Sequence, residues 1–170
     1  TTTDAAVITP SALILRTLAA QLPFLAEYDK VLRSNFDRHP DAELFRSVPG
    51  AGEVMAPRLL TAFGTDRARF ANAEAVSTFS GIAPVTKSSG KSLSHHLRYA
   101  CAKFLRQSFH EFAASSIPHC AWAKAFYDSQ RARNKRHHTA VRALAYKWIR
   151  ILYACWKSRT PYNESLYLQP

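Results

Sequence analysis

The sequence contains 170 residues, of which 47% are hydrophobic and 12% aromatic, so it has the apolar content of one or two folded domains and not of a disordered chain. No apolar run reaches the roughly 18 uncharged residues that span a bilayer, and no secretory signal opens the sequence, so we expect no membrane or secreted protein. The three cysteines (Cys101, Cys120 and Cys155) form no CxxC pair, which indicates reduced thiols and a cytoplasmic location.

The net charge of +11 is distributed unevenly along the chain. Residues 1–80 carry eight Lys or Arg and nine Asp or Glu, whereas residues 81–170 carry fifteen Lys or Arg and only three acids. A strongly basic half is the electrostatic pattern of a protein that binds a polyanion. We therefore predict a nucleic-acid partner for the second half of the chain.

The first predicted element is a long helix, which Ser11 would cap and which would run to Asp37 or Arg38. Leu15, Leu18, Leu22 and Leu25 recur at three to four residues, close to a heptad seam. Pro23 falls inside this helix and is expected to kink or break it. The pattern fits an ordinary core-packing helix and a coiled coil equally well, so residues 1–38 are predicted to be a linker or coiled-coil-like segment.

A helix-hairpin-helix-like segment is predicted next. Asp41–Ser47 is expected to form a short helix and Glu53–Phe63 a second one, joined by a turn with Gly50 and Gly52. Such a turn can hold a DNA phosphate on backbone amides at the helix start. A plain turn between two packed helices is the alternative.

The remainder of the domain is predicted to be helical around one long loop. We predict a short helix over Ala73–Phe79, a non-periodic loop over Ser80–Ser92, and three amphipathic helices, without any strand. These three helices are expected over Ser94–Ser116, Pro118–Arg133 and Thr139–Lys157. The predicted fold class is thus an all-α, multi-helix domain over residues 39–160, with a tail over residues 161–170.

The candidate nucleic-acid contacts are the two turn glycines and the bases of the second half. The three tryptophans are expected to be core residues. The nucleic-acid-binding candidates are Gly50, Gly52, Lys87, Lys91, Arg98, Lys103, Arg106, Arg131, Arg133, Lys135, Arg136, Arg142, Lys147 and Arg150.

No metal site is predicted, because the sequence offers no paired carboxylates in helical register. Glu27 and Asp29 are two residues apart, as are Asp41 and Glu43, and this spacing directs two helical side chains to different sides. A metal-dependent nuclease centre cannot be assembled from such acids.

A serine in the long loop is the one candidate nucleophile. Ser88, Ser89 and Gly90 lie between Lys87 and Lys91. A serine can attack a phosphodiester when cations neutralise the phosphate and the hydroxyl is exposed. The residues alone leave three interpretations open: a nucleophile, a loop that binds phosphate, or a linker.

Several short motifs, in their order and spacing, resemble one protein family. They are His39-Pro-Asp, Ser47-Val-Pro-Gly-Ala-Gly, Phe79-Ser-Gly-Ile-Ala-Pro, Lys87-Ser-Ser-Gly-Lys, Leu97-Arg and Thr160-Pro-Tyr-Asn-Glu. Together they resemble the C-terminal part of bacterial insertion-sequence transposases of the "one-ten" family, over about Asp37 to Leu168. The family joins this part to a RuvC-like DEDD domain through a coiled-coil segment.

The resemblance implies a transposase or recombinase in which a serine cuts and rejoins DNA. The family's serine falls on Ser89, with Ser88 as the alternative, and it would form a covalent phosphoserine link. The resemblance also implies a guide RNA as a partner and Mg²⁺ in the DEDD domain, while no cofactor is expected in this chain. Because the DEDD domain is not in this sequence, we expect the chain to be an incomplete part of the enzyme.

Two further interpretations stay open at this point. The first is a non-catalytic helix-hairpin-helix module that only binds nucleic acid. The second is an assembly module, in which Ser11–Asp37 forms the seam of a homo-oligomer.

Overall fold

The computed structural model describes residues 9–90, 92–96 and 98–167, with Lys87, Leu93 and His95 described by their backbone alone. Over these residues the fold is all-α as predicted, with one two-stranded sheet. The chain divides into two compact units, and the division lies between Arg38 and His39. None of the helices in this part of the chain is both long and apolar enough to cross a membrane.

The first unit is helix α1 (Pro10–Asp37). Its N-cap is Thr9, whose hydroxyl accepts a hydrogen bond of 3.4 Å from the amide of Ala12, so the predicted cap at Ser11 is wrong. Proline is favourable in the first helical turn, which explains why Pro10 can begin the helix. The helix also continues through Pro23 without ending there.

The second unit contains six further helices and one hairpin among the described residues. They are α2 (Ala42–Arg46), α3 (Gly52–Phe63), α4 (Ala73–Phe79), β1 (Val85–Ser89), β2 (Ser92–His96), α5 (Lys103–Ser116), α6 (Ala121–Ala132) and α7 (His137–Ser158), followed by a short 3₁₀ turn (Glu164–Tyr167). The predicted helix over Ala73–Phe79 has these bounds in the structure, and Asn72 caps it by accepting from the amide of Ala75 at 2.9 Å.

The predicted helix over Ser94–Ser116 is wrong in its first turns, and the predicted loop over Ser80–Ser92 is wrong in its second half. Strands β1 and β2 pair antiparallel there, with Val85 opposite His96 and Ser89 opposite Ser92. Gly90 follows β1 with a φ of 55°, which an L side chain rarely adopts. Helix α5 therefore begins only at Lys103.

Helix α7 forms the centre of the second unit. It packs against α4, α5 and α6, and Trp148 and Trp156 on it have no exposed surface. The indole of Trp148 donates to the Ser116 hydroxyl at 2.7 Å, and that of Trp156 donates to the Gly64 carbonyl at 2.8 Å. A buried indole needs such an acceptor because an unpaired polar group in a core is costly.

The third tryptophan fixes the segment after α7. The indole of Trp122 donates to the hydroxyl of Tyr162 at 2.7 Å, and the amide of Tyr162 donates to the Ser47 hydroxyl at 2.9 Å. Burial raises the pKa of Tyr162 above its usual range, so its ring is a neutral part of the core. The prediction that the tryptophans are core residues is therefore confirmed for Trp148 and Trp156, whereas Trp122 is only half-buried.

Asp41, the residue before α2, has a partner outside that helix. Its side chain makes no cap hydrogen bond to α2. Its carboxylate lies 2.6 Å from the guanidinium of Arg67, and both side chains are largely buried. The guanidinium of Arg67 also lies 4.7 Å from the ring of Trp156, so this ion pair joins the α2 region to α7.

Candidate nucleic-acid interface

The β1–β2 hairpin is anchored at its base between the end of α4 and the start of α5. The amide of Ala102 donates to the carbonyl of Phe79 at 3.2 Å, so the segments before and after the hairpin lie side by side. Gly81 lies beneath Cys101: with a φ of 73°, an added Cβ would lie 2.5 Å from the Cys101 sulfur. The hairpin base is thus tightly packed, and only a residue without a side chain fits there.

The two candidate serines lie at the far end of this hairpin. Ser88 is opposite Leu93 and Ser89 is opposite Ser92, and both serine side chains are exposed. Because successive strand residues point to opposite faces, the two hydroxyls lie on different faces of the hairpin. Ser89 is the last residue of β1, about 14 Å along the strand from Val85 at a rise of about 3.4 Å per residue.

The two lysines that flank the serines are only partly described. Lys87 lies on β1 opposite Ser94, and its side chain is outside the described residues. Lys91 lies outside the described residues altogether. Their contribution to the charge at the hairpin stays a prediction.

An open groove of about 600 Å³ lies at the hairpin base, between α5 and the start of α7. Three of the predicted nucleic-acid contacts line it, namely Lys103, Arg106 and Arg142. Arg106 is held in place because its guanidinium donates to the carbonyl of Arg98 at 3.2 Å. The remaining lining residues are Ile82, Gln107, His110, Glu111 and His138, and we call the whole set the α5–α7 groove.

Two imidazoles face each other in the α5–α7 groove. The ring centroids of His110 and His138 are 5.6 Å apart, and the His138 ring is in turn 5.1 Å from that of His137. The pKa of His110 is lowered, and burial is the largest cause. A hydrogen bond with the His138 backbone opposes this effect, whereas electrostatic interactions with His138, His137 and Arg142 lower the pKa further. The His110 ring is therefore mostly neutral at neutral pH.

The one carboxylate of the groove is already occupied. Gln107 donates to Glu111 at 2.7 Å, and the guanidinium of Arg58 lies 2.6 Å from its other oxygen. These hydrogen bonds, that of Gln107 first, lower the pKa of Glu111. Since Arg58 balances Glu111, the cations of the groove are left to attract an anion.

A short ordered turn with several basic residues connects α6 and α7. The guanidinium of Arg131 donates to the carbonyl of Lys135 at 2.8 Å, and the Lys135 ammonium donates to the side-chain oxygen of Gln130 at 2.7 Å. Asn134 permits the turn with a φ of 57°. The four predicted contacts of this turn, Arg131, Arg133, Lys135 and Arg136, are all exposed.

Two predicted contacts on α7 have different surroundings. The ammonium of Lys147 lies 4.5 Å from the ring centroid of Phe126 and 5.6 Å from that of Trp122, so it packs on α6 while its side chain stays exposed. Arg150 is exposed on the same helix. Lys147 therefore has a structural partner that the sequence did not indicate.

The glycines of the helix-hairpin-helix-like segment differ from each other. An added Cβ at Gly50 would lie 2.8 Å from the Ser115 carbonyl oxygen, whereas one at Gly52 would meet nothing within 4 Å. Gly50 therefore has a packing role, since it lets this turn approach α5. Gly52 is exposed at the start of α3, where free amides are available.

The sequence reasoning missed His110 and His138 as members of one site. Lys103, Arg106 and His110 recur at helical spacing and share one face of α5, a signal that the sequence contains. The contact between this face and the start of α7 depends on how the two helices pack. Spacing within one helix does not predict that contact.

Comparisons with known proteins identify the family of this chain. Residues 42–128, which include α2 to α4, the hairpin and α5, match the model of the IS116/IS110/IS902 transposase family. The chain belongs to this transposase family, which confirms the resemblance found in the sequence.

Similar proteins come from mycobacterial and streptomycete insertion elements. The chain is 32% identical to the insertion element IS900 uncharacterized 42 kDa protein of Mycobacterium paratuberculosis, over 83% of this chain and 36% of that protein. It is 28% identical to the mini-circle putative transposase for IS117 of Streptomyces coelicolor, over 92% of this chain and 38% of that protein. A third relative, the insertion element IS110 uncharacterized 43.6 kDa protein of Streptomyces coelicolor, is 29% identical over 91% of this chain and 39% of that protein. The chain thus spans less than two fifths of each of these relatives.

The packing at the hairpin base gives a stability prediction. Gly81→Ala places a methyl group against Cys101 and also forces alanine into a left-handed conformation, so we expect a loss of about 2–4 kcal/mol in the free energy of unfolding. Gly90→Ala is the matched control, because Gly90 also has a positive φ but an added Cβ would meet open space. For that variant we expect a loss of only about 1 kcal/mol. Urea denaturation measures both, and equal losses would contradict the close packing at Gly81.

Proposed function

We propose that this chain is the DNA-binding, serine-bearing part of an insertion-element transposase, and that Ser89 is its nucleophile. The observation that carries the proposal is the hairpin that ends in two exposed serines and is anchored at a tightly packed base. This hairpin lies within the residues that match the transposase family model. An exposed hydroxyl on a fixed support is what attack on a bulky duplex requires.

The proposed step is a transesterification. The Ser89 oxygen attacks a DNA phosphorus and forms a phosphoserine bond, while the bond from phosphorus to one sugar oxygen breaks. The serine gives up its proton, and the departing sugar oxygen takes one up and leaves as a hydroxyl. The same step in reverse joins the phosphate to a new sugar hydroxyl, which rejoins the strands. Cations near the phosphate, with Lys87 and Lys91 as candidates, would stabilise the negative charge that develops.

The Mg²⁺ that the family resemblance implies does not fit the residues of this chain. Within the described residues, no group of three His, Cys, Asp or Glu side chains is placed to hold a metal. Glu111 is paired with Arg58, and Asp128 lies 2.6 Å from Lys124. We therefore assign any such metal to a DEDD domain outside this sequence and derive no step through it.

DNA binding is proposed to use the basic surfaces of the second unit. The α5–α7 groove, the turn between α6 and α7, Arg150 and the start of α3 at Gly52 present cations or free amides that a phosphate backbone can contact. A structured guide RNA is proposed as a further partner, on the family resemblance. The DNA-binding role rests on charge and exposure.

The nucleophile is tested by trapping the covalent intermediate. The full-length protein that contains this chain is incubated with guide RNA and a nicked suicide DNA, and the products are separated on a denaturing gel. We expect wild type to form a protein–DNA adduct, and Ser89→Ala to lose it because the bond-forming oxygen is gone. An adduct that persists in Ser89→Ala contradicts the assignment.

Ser88→Ala is the matched control for this experiment. Ser88 is the adjacent residue, equally exposed, but on the other face of the hairpin. We expect its adduct to form as in wild type. Loss of the adduct in Ser88→Ala alone would make Ser88 the nucleophile, and no adduct in wild type would favour a module that only binds nucleic acid.

We also propose that α1 mediates self-association. Leu15, Leu18, Leu22 and Leu25 are 54–66% exposed, although they form the predicted seam. An exposed apolar stripe of this length is typical of a helix that packs on another helix.

The association is tested by light scattering at high protein concentration. We expect a mass above that of the monomer for wild type, and the monomer mass for Leu18→Glu/Leu25→Glu, because buried carboxylates oppose helix packing. Ala20→Glu, on the opposite side of α1, should retain the wild-type mass. A wild type that is monomeric in this experiment would exclude the seam.

A further inference from the structure

We propose that the α5–α7 groove holds one backbone phosphodiester of DNA at the hairpin base, and that His110 takes up a proton when the phosphate binds. This inference rests on the proposed function in so far as DNA is the ligand. The groove itself is defined by the packing of α5 on the start of α7 and does not depend on the serine chemistry.

The composition of the groove favours an anion over other ligands. Lys103 and Arg106 contribute positive charge from α5, and Arg142 contributes it from α7. Three cations around one concave surface are costly unless an anion or solvent ions neutralise them. Glu111 does not compensate them, because its oxygens are bound by Arg58 and Gln107.

The shape of the groove favours a phosphate on a chain over a small free metabolite. It is an open channel of about 600 Å³ whose lining residues, apart from Ile82, are polar or charged, and Ile82 follows the anchored Gly81. A pocket for a small molecule is commonly enclosed. A strand that lies along this channel would pass the base of the hairpin that presents the serines.

The two imidazoles give the groove a dependence on pH. His110 is flanked by Lys103, Arg106 and Glu111 on its own helix, and by His137, His138 and Arg142 on α7. Burial and the cationic neighbours lower the pKa of His110, so it is mostly neutral when the groove is empty. A bound phosphate would supply the missing negative charge and could accept a hydrogen bond from the protonated ring.

The sign of the effect follows from linkage. Binding raises the pKa of His110 above its value in the free chain, so the protonated state binds more tightly. The additional affinity is fully present at pH values below the pKa of His110 in the free chain, which is lower than the ordinary value of 6.5. It is lost as the pH rises through the pKa of the bound state.

The inference is tested by DNA binding at two pH values. The 170-residue chain is titrated into a fluorescein-labelled DNA duplex at about pH 8 and about pH 5.5, and anisotropy gives the affinity. We expect the affinity of wild type to rise about tenfold more between these pH values than that of His110→Gln/His138→Gln, since one linked proton changes affinity up to tenfold per pH unit.

The salt dependence of DNA binding tests the cations of the groove. Arg142→Gln should reduce the slope of log affinity against log salt by about 1, as the loss of one phosphate contact does.

His119→Gln is the matched control. His119 is exposed on the connection between α5 and α6, so the same chemical change is made outside the groove. We expect this variant to keep the pH dependence of wild type. If His119→Gln loses it to the same degree as the groove variant, the assignment to the groove is wrong.

A second measurement needs no variant and separates the possible ligands. The ring signals of the histidines are followed by NMR as the pH changes, with and without inorganic phosphate or a short DNA strand. We expect the pKa of His110 to rise by about one unit or more with DNA and by less with phosphate. An unchanged His110 signal with both probes would overturn the proposal, and so would a larger effect from an RNA strand of the same sequence, which would make RNA the ligand.

Failure of this inference can be told apart from failure of the proposed function. If wild type binds DNA while the groove variants show the same affinity, salt slope and pH dependence, the groove proposal is wrong and the DNA-binding proposal stands. If wild type binds no DNA at low salt, both the proposed function and a DNA-binding groove fail.

Discussion

Helix α7 buries apolar side chains along one half of its circumference, and the second unit is arranged to cover them. Val141, Leu144 and Leu152 have no exposed surface, and neither do the two tryptophans of this helix. A helix with so broad an apolar face is stable only when other elements cover that face, which here are α4, α5 and α6. Loss of one buried tryptophan side chain typically costs about 3–5 kcal/mol, a large part of the 5–15 kcal/mol that holds a domain folded.

The position of the hairpin and of the groove follows from this arrangement. Because α4 and α5 both pack on α7, the end of one lies beside the start of the other, and Phe79 can bond to Ala102. The segment between them is too long to cross directly and folds back on itself as β1 and β2. The same packing brings Lys103, Arg106 and His110 opposite His138 and Arg142. The serine hairpin and the basic groove are therefore neighbours, and we propose that they form one DNA-binding face.

Much of the helical framework was predictable because it depends on local signals. The bounds of α4 follow from the cap at Asn72 and from the glycine after Ser80, and the inward face of α7 follows from its spacing. The order and spacing of the short motifs also indicated the family that the comparisons confirmed.

The rest could not be predicted, because it depends on long-range contacts. The alternation of serine and leucine in β2 is too short to distinguish a strand from the start of a helix, and its pairing with β1 decides the outcome. The sequence placed Lys147 among the phosphate contacts, whereas the aromatic rings of α6 give it a structural partner. Asp41 precedes α2 in the sequence, but its partner is Arg67, which tertiary packing brings to it.

The claim that the hairpin and the α5–α7 groove form one DNA-binding face is tested most directly by hydrogen–deuterium exchange of the chain with and without a DNA duplex. We expect DNA to slow amide exchange in the hairpin, in the first turns of α5 and in the first turns of α7 together, and to leave the middle of α6 unchanged. Slower exchange confined to the start of α3, with the hairpin and the groove unaffected, would contradict the account.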